Sequence, residues 1–166
     1  MKKKKLSAKQ KQMSISPNRK DDYEMDFYGW TRKQAALLQK QEFEKLDITH
    51  LIEEMDSLGR SEKRSLESHI SILFMHLLKI KYQPEKHTRS WDNSVKNSIF
   101  QSQKILKENP SLKPKLDSIS KDAYYSARLN ASSETGLRES TFPKKCQWDI
   151  KKLLYPENGK KESEKK

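Results

Sequence analysis

The chain has 166 residues, of which 33% are hydrophobic and 35% are charged, and its formal net charge is +12. This length fits one domain with tails, and no apolar run approaches the length of about 18 residues that a membrane-spanning helix needs, so no membrane span is expected. The single cysteine, Cys146, excludes an internal disulfide framework and favours a reducing compartment, so we expect a cytoplasmic protein.

The positive charge is concentrated at the start of the chain. Residues 1–20 contain eight Lys or Arg side chains and no acidic one, whereas residues 21–155 contain 23 basic and 20 acidic side chains. The first stretch has too few apolar residues to bury a core. We therefore predict a disordered basic leader over residues 1–20, a single helical domain over residues 21–155 and a polar C-terminal tail over residues 156–166.

The predicted elements of this domain are helices. An aromatic cluster from Tyr23 to Trp30 begins the ordered part, and residues 31–41 contain good helix formers. The segment 47–91 has the densest apolar pattern, and in its second half apolar side chains recur every three or four residues, as on one face of a helix. These side chains are Leu66, Ile70, Leu73, Leu77 and Ile80. A helix this apolar is expected to be central and buried.

Three residues mark the ends of the two helices predicted in this segment. Asp47 is predicted to cap the first helix, and Gly59 to end or kink it, because glycine tolerates the left-handed backbone of a helix end. Pro84 cannot extend the second helix, which is therefore predicted to end near Gln83.

Three further helices are predicted downstream. The first occupies residues 90–108, the second follows residue 111 with Gly136 as its C-terminal stop, and the third is a short helix capped by Asp149. No segment alternates apolar and polar residues over five or more positions, so no strand is predicted. The sequence thus predicts an all-α protein, a four- to five-helix bundle with a disordered basic N-terminal leader.

Several blocks of the sequence occur in an order that resembles a known family. The block LIEEMDSLGRSEKRSLESHISILFMHLLKIKYQPEKHTRSW is preceded by DFYGWTRKQAALLQ and followed by ENPSLKP, ETGL and TFPKKCQWDIKKLL. Together they resemble the "domain of unknown function 29" family of bacterial proteins over residues 22–155. The resemblance implies a small α-helical bundle but no catalytic role for any residue, because the function of the family is not established. Cys146-Gln147 stands where a Cys-Pro pair is expected, and the basic leader looks like an addition to the usual domain.

Two carboxylates and nearby polar residues are the first candidates for chemistry. Glu53 and Glu54 are adjacent and diverge by about 100° on a helix, so only one of them can face a given site. Either one could act as a general acid or base if it were buried beside a partner such as His76, Lys79 or Tyr82. The alternative is a satisfied buried network in which one glutamate pairs with Lys79.

Three histidines and one carboxylate are candidate metal ligands. His50 and Glu53 are three residues apart, and His69 and His76 are seven apart, so each pair shares a helix face. Such residues could hold a metal inside a helical bundle, although neither an H-E-x-x-H motif nor repeated E-x-x-H motifs occur. The alternative is that His76 is a buried, hydrogen-bonded histidine and that His50 and His69 are largely solvated.

Motifs for a nucleophile or a bound nucleotide are weak or missing. Cys146 follows Lys144 and Lys145, whose charges could lower the pKa of its thiol. There is no G-x-S-x-G motif, and the four glycines are isolated, which disfavours nucleotide hydrolysis and dinucleotide binding. We therefore predict no cofactor.

Basic residues near aromatic ones favour contact with nucleic acid. Tyr82 and Trp91 flank a basic loop, although aromatic residues at helix ends also commonly pin a loop to a core. The candidate phosphate contacts are Lys2, Lys3, Lys4, Lys5, Lys86 and Arg89. We predict a non-enzymatic helical binding module that contacts nucleic acid through its leader. The alternatives are a metal protein or enzyme that uses the Glu/His cluster, and an adaptor or antitoxin-like partner of another protein.

Overall fold

The computed structural model describes residues 22–156. The predictions for the basic leader and for nearly all of the C-terminal tail lie outside these residues. The helices are α1 Asp22–Met25, α2 Phe27–Gln39, α3 Ile48–Tyr82, α4 Arg89–Glu108, α5 Leu116–Thr135 and α6 Ile150–Leu154. The short 3-10 helices are Phe43–Lys45, Pro84–Lys86, Pro110–Lys115 and Glu139–Thr141.

No strand occurs within residues 22–156, and four of the helices there, α2 to α5, have at least 13 residues. The all-α prediction is therefore confirmed. None of the described helices combines the length and the apolar character needed to cross a membrane.

The chain divides into two compact units, and the division falls within α3 between Glu54 and Met55. Unit 1 comprises the described residues 22–54, and unit 2 comprises the described residues 55–156. The single domain over residues 21–155 stays a prediction.

Unit 1 is organised around the start of α3. The indole Nε1 of the buried Trp30 donates a hydrogen bond to Asp47 Oδ2 over 3.1 Å, and the side-chain Oε1 of Gln34 accepts one from the Asp47 backbone N–H over 2.9 Å. Asp47 Oδ1 in turn accepts from the backbone N–H of His50 over 3.4 Å, which is the N-terminal cap predicted from the sequence. Two α2 side chains therefore fix the residue that begins α3.

Unit 2 is built on a core to which α3 contributes its apolar face from Leu66 onward. The fully buried members of this core include Leu66, Ile70, Leu73, Phe74 and Leu78 from α3, Leu106 from α4, Ile119, Ala123 and Ala127 from α5, Phe142, and Leu154 from α6. Burial of one such leucine or phenylalanine side chain stabilises the fold by about 1.5–3 kcal/mol. The apolar spacing read from the sequence thus identified the central helix of unit 2.

Some helix boundaries differ from the sequence predictions. The helix α2 begins at Phe27, before residues 31–41, and α5 begins at Leu116, after a 3-10 helix rather than directly after residue 111. The third difference is at Gly59. This residue lies inside a continuous α3, so the prediction that a helix ends at Gly59 is wrong. A methyl group added at Gly59 would meet no atom within 4 Å, so no close packing requires glycine there. The helix α3 ends instead at Tyr82, before Pro84, and α5 ends at Thr135, directly before Gly136, whose φ of 73° is left-handed. Flanking helical residues thus outweigh the modest cost of one internal glycine.

Candidate functional site

Unit 1 contains a polar network that includes two residues predicted from the sequence. The Tyr23 hydroxyl donates a hydrogen bond to Glu54, and the Tyr23 ring stacks on the imidazole of His50 with ring centroids 4.1 Å apart. His50 Nδ1 lies 2.6 Å from Asp47 Oδ2. The hydrogen bond to the Glu54 carboxylate raises the pKa of Tyr23 to about 12. Glu54 is thus engaged by a tyrosine that stays protonated at neutral pH, while its neighbour Glu53 is exposed.

The predicted metal ligands do not assemble. Within residues 22–156, no group of three or more His, Cys, Asp or Glu side chains is placed to hold a metal ion. His69 is half-buried on α3 and His76 is buried further along the same helix. The set of His50, Glu53, His69 and His76 therefore has no common coordination centre in the described part of the chain.

Lys79 in unit 2 is a buried cation with two partners. Its Nζ donates a hydrogen bond to Glu134 Oε2 on α5 and lies 4.4 Å from the centroid of the Trp91 ring on α4. The acidic partner is thus Glu134, not the Glu53 or Glu54 considered from the sequence. No local pattern indicates this pairing, because the two residues are 55 positions apart.

The residues around Lys79 also make structural contacts. His76 is buried, its ring centroid lies 6.5 Å from that of Trp91, and its Nδ1 has no hydrogen-bond partner among the described residues. Burial, reinforced by the charge of Lys79, lowers the pKa of His76, so the imidazole is neutral at pH 7. Tyr82 packs edge-on against Phe142 with centroids 5.2 Å apart. These contacts connect the C-terminal half of α3 to its neighbours in unit 2.

Cys146 differs from the expectation based on its lysine neighbours. The thiol is half-buried, and its Sγ lies 3.4 Å from the backbone oxygen of Trp148. Burial raises the pKa of the Cys146 thiol above its ordinary value. Lys144 and Lys145 are exposed, so desolvation of the thiolate outweighs their attraction. The structure therefore does not favour a reactive nucleophile here.

The charges of the described residues are distributed unevenly between the units. Residues 22–54 contain four basic and eight acidic side chains, a net charge of −4, whereas residues 55–156 contain 19 basic and 11 acidic side chains, a net charge of +8. The numbers of acidic and basic side chains are thus nearly equal over residues 21–155 because unit 1 is acidic and unit 2 is basic. A strongly positive surface attracts polyanions.

Part of this positive charge surrounds a cavity of about 450 Å³ in unit 2, which we call the α6 pocket. The lining residues are Leu106, Lys113, Leu116, Asp149, Lys151, Lys152 and Tyr155. Both leucines are buried members of the core, whereas the three lysines and Tyr155 are exposed. The α6 pocket therefore combines an apolar base with a rim that holds one aromatic ring, three lysines and the single carboxylate of Asp149.

Local structure places these rim residues at both ends of α6. Asp149 Oδ1 caps the helix by accepting hydrogen bonds from the backbone N–H groups of Lys151, over 2.8 Å, and Lys152, over 3.4 Å. The carbonyl oxygen of Leu154 accepts a hydrogen bond from the Gln103 side chain of α4. Because Leu154 is also fully buried, the backbone is fixed immediately before Tyr155, although α6 has only five residues.

The remaining rim lysine comes from the 3-10 helix Pro110–Lys115, which packs against α4 and α5. Two prolines in this segment restrict its backbone, so Lys113 projects from a rigid connection. Lys113 and Lys152 make no ion pair with any described residue, whereas Lys151 Nζ lies 2.8 Å from Asp117 Oδ2. The hydrogen bond and charge of Asp117 raise the pKa of Lys151, which is therefore cationic at neutral pH. Two of the three rim cations are consequently available to an external anion.

The α6 pocket was not predicted from the sequence. Two features of the sequence belong to this pocket: a pair of lysines in the short apolar segment IKKLLY, and the KPK triplet earlier in the chain. Neither is distinctive in a chain with 35 Lys and Arg residues, and only the packing of α6 against α4 and α5 brings them together.

The basic residues that were predicted from the sequence to contact phosphate do not line the α6 pocket. Lys86 ends the 3-10 helix Pro84–Lys86, and Arg89 is the first residue of α4; both are exposed. Between them, His87 Nε2 lies 2.7 Å from Asp92 Oδ1, so an acidic side chain is close to this group. Lys2, Lys3, Lys4 and Lys5 lie outside the described residues.

Comparison with known proteins finds one family. A family model described as "Domain of unknown function DUF29" matches residues 23–158. No curated protein matches the chain, and neither does any solved structure.

Proposed function

The chain belongs to the DUF29 family, whose description names no activity, and from that premise we propose that it is a helical module that binds nucleic acid through the basic surface of unit 2. The observation that carries this proposal is the concentration of charge, with +8 on residues 55–156 against −4 on residues 22–54. Nucleic acids match such a surface because duplex DNA carries one negative charge per about 1.7 Å of its axis.

The polar clusters support a binding module more than an enzyme. Lys79 is neutralised by Glu134 and covered by Trp91, and the Tyr23 hydroxyl is bonded to Glu54. Each of these groups already has a partner within its own unit, as expected of side chains that hold helices together. By contrast, Lys113 and Lys152 are exposed and make no ion pair within residues 22–156.

Further phosphate contacts are proposed for the basic leader and for the loop before α4. The leader supplies eight positive charges without an acid, among them Lys2, Lys3, Lys4 and Lys5. Lys86 and Arg89 are exposed and can add two more contacts. These residues would increase affinity without selecting a base sequence, because phosphate contacts carry no sequence information.

The test is a fluorescence-anisotropy titration of the full chain with labelled single-stranded and duplex oligonucleotides at increasing KCl. We expect the logarithm of the association constant to fall linearly with the logarithm of salt concentration, by about 0.7 per neutralised phosphate for a single strand and 0.9 for a duplex. The eight leader charges alone would allow a duplex slope of about −7. Absence of binding at low salt, or an affinity that does not change with salt, would contradict the proposal.

A further inference from the structure

We propose that the α6 pocket accepts an unpaired base of a single-stranded nucleic acid, with the Tyr155 ring as the stacking surface and Lys113 and Lys152 as contacts to the neighbouring phosphates. This inference rests on the proposed function and specifies which form of nucleic acid is bound and where. Its basis is the combination of an apolar base, an exposed aromatic ring and unpaired cations around one cavity.

The lining of the α6 pocket is chemically complementary to a nucleotide. The buried Leu106 and Leu116 offer an apolar surface, while the ammonium groups at the rim carry the positive charge. A ligand that fits both must have a flat apolar body joined to negative groups, as a nucleotide unit of a strand has. The cavity volume of about 450 Å³ lies within the range of about 300–1,000 Å³ found for small-ligand sites.

The exposed ring of Tyr155 suits a single strand better than a duplex. In a duplex the bases are stacked and paired, so the face of a base is not accessible to a protein ring. Tyr155 is 49% exposed and follows directly after the buried Leu154, so its ring is accessible and is carried by backbone next to the core. Proteins that bind single strands commonly combine such aromatic surfaces with a positive groove. The α6 pocket therefore favours an unpaired base.

A second cavity adjoins the α6 pocket. It has a volume of about 310 Å³ and shares Asp149 and Lys151 with the α6 pocket. Its lining also includes Lys121, the half-buried Trp148 and the carboxylate of Asp117. A strand that places one base in the α6 pocket thus has a second cavity with a cation and an aromatic ring for a neighbouring nucleotide.

The carboxylate of Asp117 repels an anion bound near Lys151, so removing its charge tests the proposed site. It is exposed, and its salt bridge with the exposed Lys151 is of a type that contributes little to stability. Removal of its charge in Asp117→Asn leaves Lys151 without its ion-pair partner, and we expect tighter binding of the single strand, by about twofold to fivefold.

The decisive experiment compares two exposed tyrosines of unit 2. Tyr155→Ala is expected to weaken binding of a labelled single-stranded oligonucleotide by about 5- to 150-fold, since one base stack contributes that much, and to leave duplex affinity within about twofold. Tyr125→Ala, which removes a ring that is 60% exposed on α5, serves as the matched control and should change neither affinity. Tyr155→Phe keeps the stacking ring and should restore single-strand binding.

The outcomes separate this inference from the proposed function. If the wild-type chain binds with the expected salt dependence but Tyr155→Ala behaves like Tyr125→Ala, the inference is wrong and the proposed function stands. If the wild-type chain binds neither oligonucleotide, both are wrong. A readout that needs no variant is the amide NMR spectrum of the wild-type chain with the single strand. Signals of residues 151–155 should shift, whereas unchanged signals there would also contradict the inference.

Discussion

Lys79 and Lys152 illustrate how the same side chain serves two purposes in unit 2. Lys79 is buried, and the cost of removing its charge from water is offset by Glu134 and by the face of Trp91. Lys152 is exposed and makes no ion pair within residues 22–156, so its charge is available to a partner. In the sequence both lysines occur in apolar helical segments, and only their burial and ion pairing in the folded chain distinguish them.

His76 gives a testable pH dependence at the scale of one residue. Burial and the charge of Lys79 lower its pKa in the folded state, with Glu134 acting in the opposite direction, whereas the unfolded chain keeps the ordinary histidine pKa of about 6.5. Below that pH the unfolded chain binds a proton that the folded chain resists binding. The stability contributed by neutral His76 is therefore complete above pH 6.5 and is lost as the pH falls toward the folded-state pKa.

The measurement is the urea midpoint of unfolding followed by circular dichroism from pH 8 to pH 5. We expect the midpoint of the wild-type chain to fall with pH and that of His76→Gln to fall less. His69→Gln provides the control, because His69 is only half-buried on the same helix. Equal pH dependence of the wild type and His76→Gln would contradict the assignment.

At the scale of the elements, α3 shows what helical periodicity can predict. The spacing of apolar residues from Leu66 onward identified the buried face, and Pro84 identified the C-terminal end. The interpretation of Gly59 was wrong because a glycine is both a helix terminator and a tolerable internal residue, and its local sequence does not separate the two. Gly136 has the same local ambiguity but does end its helix, with a left-handed φ.

Replacing each of these two glycines by alanine is predicted to change the stability of the chain in opposite directions. Gly59→Ala should stabilise the chain by about 0.5–1 kcal/mol, because alanine is the better helix former and its methyl group meets no atom within 4 Å. Gly136→Ala should destabilise it by about 1 kcal/mol, because a side chain at φ 73° is strained. Urea unfolding of both variants checks this. A loss of stability in Gly59→Ala would argue against the continuous α3.

At the scale of the whole molecule, the fold class could be predicted from the sequence but the candidate site could not. Helix periodicity, caps and stop signals are local, and they sufficed for an all-α chain with the cap at Asp149 in the correct position. The α6 pocket depends on segments around Leu106, Lys113 and Lys151 that meet only in the folded unit. The separation of charge was also not predicted, because the net charges of the two units have opposite signs and largely cancel when residues 21–155 are counted together.

The most direct test of a nucleic-acid site on unit 2 is the oligonucleotide affinity of two double charge reversals with the same net charge. Lys113→Glu with Lys152→Glu changes the rim of the α6 pocket, whereas Lys96→Glu with Lys144→Glu changes two exposed lysines that do not line it. At one salt concentration, we predict that the rim pair weakens single-strand binding at least tenfold more than the control pair, since it replaces two phosphate contacts by repulsion. Equal losses for the two pairs would mean that net charge alone attracts the strand, and would contradict a site at the α6 pocket.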